Sequence, residues 1–295
     1  MRKRVSQKSW MRMLAAVLLA LACAAGAAAQ QAPQPITHFV DYTIKPGKEA
    51  EFMDLVSKVG APVRDKLMKD GVVLAWGVEV PLIRGVYGSS THTIWYAVMD
   101  WASIEKVQTA MAAQYQKFAA DDAKAADEAT KKKQKPAMSL TERINDITDM
   151  SKTRDWFTRD LVFAAGSAPM TAGMQLFTRY GFVQAKPGKG ADYRAAWEKY
   201  NKPVYDSLVK DGSIAAYGLS VEEVKTTNTF THFSWYAMTS LAASDKVRTA
   251  FAADRAKRSQ EERDAIAATF NSAYDATASR GYVTRSLIFR EASMK

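Results

Sequence analysis

Thr91-His92-Thr93-Ile94-Trp95-Tyr96-Ala97 decides the fold, because the chain writes it again as Thr231-His232-Phe233-Ser234-Trp235-Tyr236-Ala237, 140 residues later. The match extends outward on both sides. Lys45-Pro46-Gly47-Lys48 returns as Lys186-Pro187-Gly188-Lys189, Asp70-Gly71 as Asp211-Gly212, and Trp76-Gly77 as Tyr217-Gly218. Near the end, Thr158-Arg159-Asp160-Leu161-Val162-Phe163 returns as Thr284-Arg285-Ser286-Leu287-Ile288-Phe289. The offset is 141, then 140, then 126, so the first half carries about fourteen extra residues, which places an Ala-, Asp- and Lys-rich insert near 119–136.

Local patterns fill in the elements. Residues 38–44 predict a strand that ends at the Lys-Pro-Gly-Lys turn. Phe52, Val56, Val59, Val63 and Leu67 recur at helical spacing, and Asp70-Gly71 closes that helix. The phase carries across Pro62, which predicts one kinked helix. Tyr193, Trp197, Tyr200, Val204 and Leu208 repeat the pattern around Pro203. Strands over 72–80 and 91–99, a helix over 104–118, helical pattern over 139–149 and a strand over 156–164 complete the first half. Each half therefore reads β-α-β-β-α-β. The fold class is α+β: two tandem ferredoxin-like repeats, over 36–164 and 175–291, joined by a 165–174 linker. Helices cover one face of each sheet. The two bare faces are expected to meet in a barrel within the one chain.

The order of elements, and a Lys-Pro-Gly-Lys turn ahead of an amphipathic helix, resemble the dimeric α+β barrel superfamily. That group includes antibiotic-biosynthesis-monooxygenase-like and NIPSNAP-like proteins. The resemblance covers both halves and implies the barrel. Its members include cofactor-free oxygenases, haem enzymes and proteins of unknown activity, so it selects no single function.

Residues 1–29 read as a secretory signal peptide: five basic residues, an apolar run over 13–22, and Ala27-Ala28-Ala29 before Gln30. Export to the periplasm or beyond is the expectation, with no transmembrane segment in the mature chain. Lipidation at Cys23, the sole cysteine, is the less favoured route. Cleavage after Ala29 leaves no thiol, which excludes disulfides and cysteine chemistry. It also removes five of the 41 basic residues and none of the 31 acidic ones, leaving a net charge of +5. That charge is scattered apart from Lys131-Lys132-Lys133-Gln134-Lys135, so no nucleic-acid partner is expected. Further self-association is left open.

Candidate chemistry starts with the histidines, His38, His92 and His232. His92 and His232 occupy matching strand positions, with Tyr96 and Tyr236 on the same strands. An imidazole there suits proton transfer near neutrality, so both are candidate catalytic bases, against the simpler account that they brace a loop. Trp76, Trp95, Tyr217 and Trp235 could line a ligand cavity or fill core. Arg159 and Arg285 share a strand with apolar residues and need a carboxylate partner or an anionic ligand. No metal motif, phosphate loop or dinucleotide fingerprint is present, and no cofactor is expected, although one histidine per half could ligate haem. The expected function is binding a small apolar or aromatic molecule in a barrel cavity. The alternatives are a cofactor-independent monooxygenase-like enzyme with a strand histidine as base, and a structural module without ligand.

Overall fold

The computed structural model describes residues 34–83, 90–166, 173–225 and 230–292. Residues 1–29, expected to be a signal peptide and including Cys23, and most of the 165–174 linker lie outside them. In the first half, β1 (Ile36–Tyr42), β2 (Ala75–Pro81), β3 (His92–Val98) and β4 (Arg154–Ala165) pair in the order β2-β3-β1-β4. In the second, β5 (Phe177–Ala185), β6 (Ala216–Glu222), β7 (His232–Met238) and β8 (Tyr274–Glu291) pair as β6-β7-β5-β8. Two seams, β2 with β8 and β4 with β6, close all eight strands into one antiparallel barrel. Closure removes every free sheet edge. Pro35–Lys295 forms a single compact unit.

The helices differ in detail from their periodicity. The expected kinked helix is α1 (Glu49–Leu55), a π-helical turn (Val56–Gly60) and α2 (Ala61–Lys69) with Pro62 in its first turn. Proline has no N–H to give the ladder, and the widened turn absorbs the loss. The second half solves the same problem by breaking at Asn201, between α5 (Gly190–Tyr200) and α6 (Lys202–Lys210). The larger difference is α3, which runs from Trp101 to Lys131, past the end expected near 118. Alanine and lysine, which dominate the insert, are strong helix formers, and their propensity carries the helix on to Lys131. Asp100 caps its start, accepting from the Ser103 N–H at 2.7 Å. α4 (Leu140–Ile147) and α8 (Gln260–Ala273) both open on Ser-x-x-Glu capping boxes, at Ser139/Glu142 and Ser259/Glu262. α7 (Ala243–Ala256) completes the second half's outer layer.

The strand period of two sorts side chains into separate cores. Outward positions such as Ile36, Trp76, Ile94 and Val98 pack under the first half's helices, and Tyr217 and Leu219 under the second's. Inward positions Phe39, Trp156, Tyr180, Phe182 and Phe233 fill the barrel, with Phe230 beside them. Three carboxylates lie among these rings, Glu79 and Asp160 buried and Asp41 half-buried. Asp41 accepts from Thr93 Oγ1 (2.5 Å) and Trp156 Nε1 (3.1 Å). Glu79 accepts from Trp95 Nε1 (3.1 Å), Tyr180 Oη (3.0 Å) and Thr284 Oγ1 (2.7 Å). Asp160 accepts from Ser220 Oγ (2.5 Å), which itself accepts from Trp235 Nε1 (3.2 Å). The seams mirror each other with the acid exchanged. Glu79 on β2 stands opposite Ser286 on β8, whereas Ser220 on β6 stands opposite Asp160 on β4.

Burial lifts the Asp160 carboxyl to about 6, against the pull of Ser220 and Trp235. In the unfolded chain an aspartate titrates near ~3.9. The folded state therefore holds the extra proton between about pH 4 and 6, and this group's contribution falls as pH rises through that window. Asp160→Asn, which cannot ionise, is expected to gain on the order of 2 kcal/mol over wild type between pH 4 and 7. Urea unfolding at several pH values measures this. Parallel stability curves for the two proteins would show that Asp160 does not titrate there.

Candidate functional site

The structure divides the residues singled out from sequence between two faces of the sheet. His92 and His232 face the helices, not the barrel. Each has Nδ1 on the preceding threonine hydroxyl, Thr91 at 3.0 Å and Thr231 at 2.9 Å, and rests against the edge of an aromatic ring, Phe52 or Tyr193. Burial pushes His232 down to about 4, so it is neutral at pH 7. Trp76 and Tyr217 also face outward and donate to Asp65 (2.8 Å) and Asp206 on the covering helices. Trp95 and Trp235 point inward, each over the glycine of the neighbouring strand, Gly77 and Gly218. Arg159 pairs with Glu223 at the β4–β6 seam, Nε to Oε2 at 2.9 Å. Arg285 stands opposite Val80 at the other seam and opposite Phe177 on β5. Tyr236 packs against Tyr205. These side chains do not converge on one place.

Tyr96 does belong to a cluster, and its partners carried no weight in the sequence. β1 lies between β3 and β4, so His38 is in register with both Tyr96 and Phe157 on the helix-covered face. Its ring stacks on Phe157, centroids 4.3 Å apart, with Trp101 beyond at 5.1 Å. His38 Nδ1 is 3.1 Å from the Tyr96 hydroxyl, and Nε2 is 3.4 Å from Asp155 Oδ2. An ionised carboxylate only accepts, which puts the imidazole proton on Nε2 and leaves Nδ1 to accept from Tyr96. The result is an Asp-His-Tyr chain. Its outer end is wet, since the Asp155 side chain is 67% exposed, and its inner end is dry, since Tyr96 is 4% exposed. Burial lowers the His38 pKa against the opposing pull of Asp155, and pushes Tyr96 up to about 12.

Arg64 is the cluster's cation. It sits on the buried face of α2 at 8% exposure, its guanidinium 5.7 Å from the Trp76 ring. Tyr42, Tyr115 and Tyr96 are near enough to act on its charge. Tyr115 also lines a groove of about 420 Å³ between α3 and α4, with Ala119, Ala123, Leu140 and Ile144. Sequence offered a faint pointer to Arg64. It falls four residues after Gly60 and three before Leu67, which puts a charge in an otherwise buried stripe. His38 offered none, because its repeat partner, 141 residues on, is Arg179.

No family model matches the chain, and no curated protein matches it. Solved structures do. A protein from Fusobacterium nucleatum named as a candidate monooxygenase superposes with a TM-score of 0.54 at 12% identity, over 88% of this chain and 94% of that one. A candidate monooxygenase from Lactobacillus acidophilus gives 0.49 at 10% identity, over 86% and 99%. An anthrone oxidase-like protein gives 0.48 at 12%, over 90% and 96%. This chain has a dimeric α+β barrel fold, with both halves of the barrel supplied by one polypeptide.

Proposed function

We propose that the chain binds a small aromatic molecule against the helix-covered face of its first half and removes a proton from it, as a cofactor-independent oxygenase does. The observation that carries this is the Asp155–His38–Tyr96 chain. His38, neutral near pH 7, can take the Tyr96 proton through Nδ1 as Tyr96 takes one from the ligand, while Asp155 steadies the imidazolium through Nε2. A ligand whose carbanion is stabilised as an enolate or phenolate can then combine with dioxygen. Addition gives a hydroperoxide, and loss of water leaves a carbonyl, so that CH2 and O2 become C=O and H2O. His92 and His232, each held by a threonine, serve here as braces of the strand entry. The basic and apolar residues 1–29 support an exported protein as the working form.

The test is oxygen uptake by the full chain on a panel of anthrone, naphthols and hydroquinones. His38→Ala is expected to lower kcat by about 10²–10⁴ with a smaller change in KM, the range for loss of a positioned acid–base group. His92→Ala is expected to retain turnover. Equal rates in wild type and His38→Ala would remove the base from His38, and no uptake by wild type would end the oxygenase assignment.

A further inference from the structure

Arg64 is buried without a counter-ion. Its Nε has no hydrogen-bond partner, and among the described residues it makes no ion pair. The adjacent acid, Asp65, accepts from the Trp76 indole N–H through Oδ1 and acts on the Arg64 charge without forming an ion pair with it. A guanidinium taken out of water costs several kcal/mol unless an anion or a set of acceptors compensates it. Around it stand Tyr42, Tyr96 and Tyr115, hydroxyl groups suited to orient an oxyanion but unable to balance the charge at neutral pH. The second half carries different residues at the same positions. The residue answering Arg64 at an offset of 141 is Tyr205, which stacks with Trp197 and Tyr217 and meets Tyr236 and Phe251. The residue answering His38 is Arg179, whose guanidinium donates to the Tyr180 and Tyr282 carbonyls and lies near enough to Tyr205 and Tyr236 to act on them. Gly281 answers Asp155 at the offset of 126.

We propose that the first half alone holds the ligand site, and that the ligand brings an anionic oxygen, carried on an aromatic ring, onto Arg64. The duplicated chain then has one working half and one half given over to packing. The site's location rests on the Asp-His-Tyr chain described above, but the role of Arg64 stands on its own burial and missing partner. An anionic oxygen there would also hold the ligand beside Tyr96, the inner end of the proton path.

Calorimetric titration of the full chain with salicylate, and with neutral salicylamide as its control, tests this. Salicylate is expected to saturate at one molecule per chain. Arg64→Gln should weaken salicylate by about tenfold or more while leaving salicylamide unchanged, as loss of a charge-assisted hydrogen bond requires. Arg64→Lys, which keeps the charge, should recover part of the affinity and guards against a folding defect in the glutamine variant. Tyr205→Phe should bind as wild type does. Two molecules per chain, equal affinity in Arg64→Gln, or no binding by wild type would each overturn the proposal. If Arg64→Gln binds normally while His38→Ala loses turnover, the anion site fails and the proton path stands. If His38→Ala keeps full turnover while Arg64→Gln loses salicylate, the reverse holds.

Discussion

Glu79→Ala is expected to cost about 3–5 kcal/mol, enough to unfold many domains of ordinary stability. Truncation takes the acceptor from Trp95 Nε1 and Tyr180 Oη and leaves Thr284 Oγ1 only its 3.4 Å contact with the Thr178 carbonyl. Each buried donor left unmet costs about 1–3 kcal/mol, and these donors come from three strands on both sides of the β2–β8 seam. Glu79→Gln keeps an acceptor oxygen and the side-chain volume, so its loss should be clearly smaller. Burial raises the Glu79 pKa, which makes the neutral amide a closer mimic than it would be at the surface. Chemical denaturation at neutral pH compares the two. Equal losses would mean that volume, and not hydrogen-bond acceptance, is what the barrel needs here.

Gly218→Val is expected to cost about 3 kcal/mol, at the upper end of overpacking effects. Even a first carbon at that position would come 2.6 Å from Trp235 Cε2 and Nε1. The ring has little room to withdraw, because its nitrogen donates to Ser220 and Phe163 lies 5.9 Å away, centroid to centroid. Trp235→Leu clears the same space at its own cost. The double variant should therefore be more stable than the sum of the single losses by about 1 kcal/mol or more. Strict additivity in a denaturation cycle would show that the glycine is not shaped by the ring.

The barrel was legible because duplication is a signal independent of any local propensity. A turn, a helix phase and an aromatic strand that recur together at offsets of 141 and 140 cannot each be accidental. The same symmetry gave no access to the places where the halves differ. Matching positions drew attention to His92 and His232, which match because both halves use them for the same local contact. His38, Arg64 and Asp155 are the places where the halves differ, as Arg179, Tyr205 and Gly281 show. Their convergence also depends on strand order. β1 lies between β3 and β4 only once the sheet has formed, and nothing local to residue 38 announces a neighbour at 155. The long α3 passes its expected end near 118 because the alanines and lysines of the insert are strong helix formers and carry the helix to Lys131.

The exchanged acid at the two seams makes the fusion irreversible in chemical terms. A first half joined to a second copy of itself would set Glu79 against Asp160 at both seams, crowding two buried carboxyl groups where the native barrel has one. A second half joined to itself would set Ser220 against Ser286 and leave the tryptophan N–H groups with no acid in reach. Each half completes only the other. Two halves built to one plan meet as unlike partners, and the barrel closes only between them.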